Sequence, residues 1–257
     1  MTTIRNLTAA AALAAFAGAA ATLAPAAPAE AQSNALTTRE FIEDLPSQNW
    51  LNVVEATDKG HRAGNPEAEA ALIEFISYTC GHCADFARSG DPALKIGYVR
   101  DGNVSVEIRN LLRNPIDLTA AMIAHCGEPN KFALNHAALM LSQDKWLPIA
   151  ANATAAQRQR WSNPDRAAAR RAIASDLDFY ELMEGRGYRI VDIDRCLADS
   201  AKETELIQAT QADATRLSLR GTPSFTINGN LLDGVHGWPS LQKALDAHIA
   251  EQSADAP

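Results

Sequence analysis

An apolar run, Leu72 to Ile76, leads within a few residues into Cys80-Gly81-His82-Cys83. The run is short and partly β-branched, which suits a buried strand, and the residues from Ala84 to Arg88 read as a helix. That order predicts Cys80 at a helix N-terminus, where unpaired backbone N–H groups and the positive dipole end favour a thiolate. An imidazolium at the adjacent His82 would favour it further. A thiol of low pKa is a good leaving group, so a Cys80–Cys83 disulfide would readily oxidise other thiols, with Cys83 able to resolve a mixed disulfide. The same spacing also serves half of a zinc site or a structural bridge. A zinc ribbon needs a second pair of similar spacing, however, and Cys126 and Cys196 stand apart. The strand before the pair and the helix after it favour the redox assignment, and no metal or other cofactor is expected.

The chain has 257 residues, 47% of them hydrophobic and 21% charged, enough for one substantial core or a core with an inserted subdomain. Residues 1–31 read as a secretory signal peptide. Arg5 supplies a basic start, Leu7 to Leu23 an Ala-rich apolar run, and Ala29-Glu30-Ala31 a small-residue cleavage site, with cleavage expected after about Ala31. Pro25 and Pro28 interrupt the run and argue against an uncleaved anchor. Export to the periplasm or another extracytoplasmic compartment permits disulfides. Removing residues 1–31 takes away one cation and one anion, so the formal charge stays at -8. That balance argues against nucleic acid and anionic membrane surfaces as partners.

Residues 32–65 read as an N-terminal arm followed by a first edge strand at Trp50 to Glu55 and a polar loop from Thr57 to Pro66. Residues 66–113 hold the strand, the cysteine pair and a further strand from Asn103 to Arg109, where apolar and polar residues alternate. From 114 to 217 the character is helical. Asn114 and Pro115 open the first segment, Asn130 is placed to cap Lys131 to Leu141, and Asn163 with Pro164 opens a third. Ser175 to Glu184 forms a fourth, and Asp192 to Leu217 one long helix or two shorter ones. Residues 218–251 resume the sheet with a strand at Ser224 to Ile227, a type I′ turn signal at Asn228-Gly229 and a partner strand at Leu231 to Val235. A helix from Trp238 to Ala250 closes the fold before a tail at 252–257.

With Glu74-Phe75, Cys80-Gly81-His82-Cys83 and Gly221-Thr222-Pro223-Ser224-Phe225 before Asn228-Gly229, the sequence resembles the DsbA family of bacterial periplasmic thiol-disulfide oxidoreductases. The resemblance covers roughly residues 66–250 and implies an α/β thioredoxin fold with an inserted α-helical subdomain. It implies that Cys80 is the exposed nucleophile and Cys83 the buried resolving thiol. It also implies that Pro223 is a cis-proline beside the active site, where the backbone at Thr222 and Pro223 pairs with an extended substrate. Glu74 stands where the family has a buried acid that exchanges a proton with Cys83, although a solvent-facing strand carboxylate fits the same position. The Gly-His dipeptide is similar to that of protein disulfide isomerase, and Thr222 to the periplasmic isomerases. Both pull the expectation away from the strongest oxidants, whose potentials lie near about -120 mV against about -180 mV for protein disulfide isomerase.

Cys126 and Cys196 fall in the helical segment. In an exported protein the economical arrangement is a structural disulfide between them, worth roughly 4 kcal/mol by loop entropy, and two separately buried thiols are the alternative. His61, His125, His136, His236 and His248 share no ligand spacing. The expectation is a monomeric enzyme that oxidises reduced or misoxidised exported proteins and is recharged by a membrane oxidase resembling DsbB. An isomerase or reductase served by a membrane reductant is its rival. A chaperone or metal-binding protein without turnover is the rival from another class.

Overall fold

The computed structural model describes residues 49–255, so the leader and most of the N-terminal arm lie outside the described residues. Strands β1 (Val54–Ala56), β2 (Gly60–Ala63), β3 (Ala70–Ile76), β4 (Val104–Asn110), β5 (Ser224–Ile227) and β6 (Asn230–Leu231) form one sheet, in the order β1-β2-β4-β3-β5-β6. Only β3 and β4 run parallel. The expected first edge strand is present as β1 but shorter and shifted to Val54–Ala56, and the N-terminal edge differs in two respects. Trp50–Asn52 is a 3-10 turn capped by the Asn49 side chain, and the polar loop after it contains β2. Gly-His-Arg-Ala has no intrinsic strand preference; antiparallel pairing to β1 on one side and β4 on the other makes it one.

Helix α1 (Gly81–Leu94) starts from Cys80 and continues as a π-helical turn, Lys95–Val99. It is held between two cores. Cys83 and Ala84 pack with Ile76, Tyr78, Ala120 to Ala124, Phe132 and Met140, whereas Phe86 and Leu94 pack with Leu72, Val104, Phe225 and Leu241. The Phe86 and Phe225 rings meet at 5.0 Å, and burying Phe86 alone contributes about 2–3 kcal/mol. In register, Glu74 lies beside Ile108 and Phe225, and residues paired across strands share a face. Glu74 therefore faces α1 from the middle of the sheet.

Between β4 and β5 the chain runs through α2 (Pro115–Ala124), α3 (Phe132–Leu141), α4 (Gln143–Ala151), α5 (Ala155–Trp161), α6 (Arg166–Asp176), α7 (Phe179–Glu184), α8 (Ile190–Ala198) and α9 (Ser200–Leu217). The fold is thus α/β with a helical insertion. Helix α2 opens as predicted, with the Asn114 side chain accepting from Asp117 N and Pro115 in the first turn. Several boundaries differ. Asn130 lies inside a 3-10 turn, Pro129–Lys131, and does not cap α3. Helices α4 and α5 occupy a stretch for which the sequence predicts no element. Asp165 rather than Asn163 caps α6, by accepting from Ala168 N, and Ser175 and Asp176 finish that helix. Asp199 caps α9 through Ala201 N and Lys202 N and so divides 190–217 into two helices.

Cys126 and Cys196 are joined by a disulfide with Cα atoms 5.6 Å apart, tying the end of α2 to α8. Asn228 (φ 50°) and Gly229 (φ 81°) make the tight β5–β6 turn, both in the left-handed region that a type I′ turn requires. β6 is only two residues long. The closing helix, α10 (Trp238–Asp255), passes the expected end at Ala250 and takes in residues assigned to the tail. It crosses α1 at Gly90, where a Cβ would lie 2.5 Å from the Phe86 ring and 3.1 Å from Trp238 Cβ.

Candidate active site

Cys80 is the N-cap of α1 and has extended backbone geometry, so its sulfur sits where the first-turn N–H groups converge. Both sulfurs are free thiols. Cys80 retains 6% of its surface and Cys83 1%, so Cys80 is the accessible one, although far more covered than an exposed nucleophile was expected to be. The Thr222–Pro223 peptide is cis, and the Cys80 thiol donates to the Thr222 carbonyl at 3.1 Å. His236 Nδ1 lies 2.8 Å from the Pro223 carbonyl and braces the loop from behind.

The two thiols are driven apart. Cys80 is brought down to about 5, chiefly by the hydrogen bond its sulfur takes from Cys83, against the opposing cost of burial. The Thr222 side chain, the Cys83 backbone N–H and the charge of Arg113 add to the lowering. Thr222 Oγ1 is buried and unpaired beside the neutral thiol, a donor available to the ionised one. Cys83 is pushed far up by its hydrogen bond to Cys80, by burial and by the neighbouring Glu74. Glu74 itself is buried and raised to about 8, first by desolvation and then by Asp91, with Lys95 opposing. These opposing environments separate a leaving thiolate from a proton-holding partner.

His82 does not join this group. Its side chain is 85% exposed and lies 3.9 Å from Asp85 on the outer face of α1. Three residues that the sequence did not single out take part instead. Asp117, fully buried, accepts from Ser77 Oγ (2.9 Å), Thr79 N (2.8 Å) and Arg113 N (2.9 Å). Arg113 donates to Ser77 Oγ at 3.0 Å and to Thr79 Oγ1 at 3.1 Å. Gln143 Nε2 donates to the carbonyls of Tyr78 at 2.6 Å and Cys80 at 3.0 Å. The only local signal for this set was the Asn114-Pro115 helix start, which fixes where Asp117 points but not what it meets. A cleft of about 450 Å³ beside the same loop is lined by Leu112, Asn114, Pro115 and Trp161 and does not reach Cys80. Among the described residues no group of three or more His, Cys, Asp or Glu is placed to hold a metal ion, and no helix is long and apolar enough to cross a membrane.

A thioredoxin family model matches residues 56–247. A Rickettsia felis protein provisionally named a protein-disulfide oxidoreductase is 29% identical over 195 residues, covering 75% of this chain and 61% of that protein. The chain thus spans about three fifths of the length of the first curated relatives it matches. The crystal structure of a protein-disulfide isomerase from Novosphingobium aromaticivorans superposes with a TM-score of 0.72 at 44% identity, covering 74% of this chain and 98% of that one. Wolbachia pipientis alpha-DsbA1 shares the fold, with a TM-score of 0.62 at 18% identity over 79% of this chain and 96% of that one.

Proposed function

Because this chain belongs to the thioredoxin family, we propose that it is an extracytoplasmic thiol-disulfide oxidoreductase that passes the Cys80–Cys83 disulfide to reduced exported proteins. The observation that carries this is the split between the two thiols: Cys80 brought down to about 5 at a helix N-terminus and Cys83 pushed up beside a buried carboxyl. A client thiolate attacks Cys80 Sγ, the Cys80–Cys83 bond breaks, and its electron pair leaves on Cys83 Sγ, which takes a proton. Glu74 is the nearby group able to supply that proton. The second client thiolate then attacks the client sulfur of the mixed disulfide and expels the Cys80 thiolate. The client loses two electrons and the enzyme gains them as a dithiol. The carbonyl and N–H groups beside Pro223 suit an extended client strand.

The leader in residues 1–31 supports export, and a membrane oxidase resembling DsbB would reoxidise the pair. The Gly-His dipeptide and Thr222 favour a second reading, in which a membrane reductant keeps the pair reduced for isomerisation. Two measurements decide. Cys80→Ser should lose roughly 100-fold or more in oxidative refolding of a reduced client and in insulin reduction, because it removes the nucleophile; activity equal to wild type would end the redox reading. Equilibration with glutathione gives the potential: well above about -180 mV supports the oxidase, and near or below it the isomerase or reductase.

A further inference from the structure

We propose that Arg113, aimed by the buried Asp117 through Ser77 and Thr79, is the cation that sets how readily Cys80 accepts and releases a client thiol. This rests on Cys80 being the attacking sulfur and goes beyond it by assigning the positioning group. The expected cation, His82, has its ring in solvent beside Asp85. Arg113 is instead anchored to the turn that delivers Cys80. Its Nη2 lies 3.1 Å from Oγ1 of Thr79, the residue immediately before the cysteine, and its Nε 3.0 Å from Ser77 Oγ.

The anchoring is over-determined. Asp117 carries no surface exposure, and its two oxygens take Ser77 Oγ, Thr79 N and Arg113 N, while Asn114 Nδ2 donates to Thr79 Oγ1 at 2.9 Å. The Arg113 guanidinium is 3.8 Å from Asp117, an ion pair that holds it near the turn while partly offsetting its charge. Its side chain remains 43% exposed.

Charged and titratable groups around Cys80 come from several directions: Cys83, His82 and Asp85 on α1, Arg113 and Asp117 beside α2, Glu74 from the sheet and His236 behind the Pro223 loop. Among the interactions that favour the Cys80 thiolate the hydrogen bond from Cys83 is the largest and the charge of Arg113 the smallest, but Arg113 is the one full charge among them, the rest being hydrogen bonds. A positive charge held on the residue before Cys80 favours the thiolate, and hence the reduced form of the pair, making the disulfide the stronger oxidant.

The test follows the thiolate absorbance of the reduced protein across pH, with no client present, in wild type, Arg113→Gln, Arg113→Lys and His82→Ala. Arg113→Gln keeps a donor for Thr79 and removes the charge. It should raise the Cys80 pKa by about one unit and shift the glutathione equilibrium about tenfold toward the disulfide form, roughly 30 mV more reducing. Arg113→Lys should restore most of both, and His82→Ala should move them less than Arg113→Gln does. In wild type, raising ionic strength should raise the Cys80 pKa, a readout that needs no variant to fold, because salt screens a half-exposed cation. A titration unmoved in Arg113→Gln, or insensitive to salt in wild type, overturns the assignment. Normal titration shifts without any thiol exchange would instead sink the oxidoreductase reading and leave Arg113 in place.

Discussion

Glu74 shows how one buried side chain sets a pH dependence. Burial raises its carboxyl from 4.5 to about 8, so the folded chain holds that proton more tightly than the unfolded chain does. Stability is therefore complete below pH 4.5 and declines as pH rises toward about 8, where the carboxylate must ionise inside the sheet. Glu74→Gln removes that cost. The variant should match wild type in urea unfolding at pH 4 and exceed it by about 4 kcal/mol at pH 7.5. Equal stabilities at both pH values would mean that Glu74 ionises freely and is no proton store for Cys83. The apolar neighbours Ile73, Phe75 and Ile76 made the burial of Glu74 legible in the sequence. Arg113, Asp117 and Gln143 were not, because each reaches the redox turn from a segment 30 or more residues away, and no local pattern reports such a meeting.

Among the elements, α4 is the least expected and bears most directly on the site. Gln143 in its first turn is buried and ties the carbonyls of Tyr78 and Cys80 to the helical insertion. Gln143→Leu would leave the Tyr78 carbonyl without that donor and Cys80 O with only Ala84 N at 3.3 Å. An unpaired buried carbonyl costs about 1–3 kcal/mol, so the variant should lose about 1–3 kcal/mol in thermal unfolding, with faster hydrogen exchange over residues 80–84. Unchanged exchange there would show that the turn is held without α4. The strand–cysteine–helix unit, the α2 start and the β5 turn were legible, because each is written in local chemistry: an apolar run, Asn before Pro, and Asn-Gly. β2 and α4 were not. Gly-His-Arg-Ala becomes a strand only through its partners, and Gln143 to Ala151 is a helix interrupted by Pro148 that tertiary packing sustains.

At the scale of the molecule, the sheet and the insertion are joined by imidazoles whose clustering no sequence spacing announced. His61 of β2 stacks on Phe132 of α3 at 4.1 Å and meets His125, just after α2, at 4.8 Å. His136 of α3 lies 5.8 Å from the Phe132 ring, with its Nδ1 3.1 Å from the Tyr78 hydroxyl. Burial is the first cause that lowers each: His61 to about 4, with Lys202 adding and Glu107 opposing, His136 to about 3, and His125 well below 6.5. The folded chain therefore binds fewer protons than the unfolded chain once pH falls below about 6.5. Stability is full above that value and is lost as pH falls toward 4 and 3, the sign opposite to that of Glu74. The reduced Cys80 has the same sign, its contribution lost as pH falls through about 5, so the disulfide form of the protein removes it and leaves the three histidines opposed by Glu74 alone among these groups. Unfolding of that form should lose stability steeply between pH 6.5 and 4. His61→Phe, which keeps the stack on Phe132, should reduce the slope by up to about one proton, or 1.4 kcal/mol per pH unit. A slope unchanged in His61→Phe would mean that His61 is already protonated in the fold, and that the joint between sheet and insertion tolerates the charge.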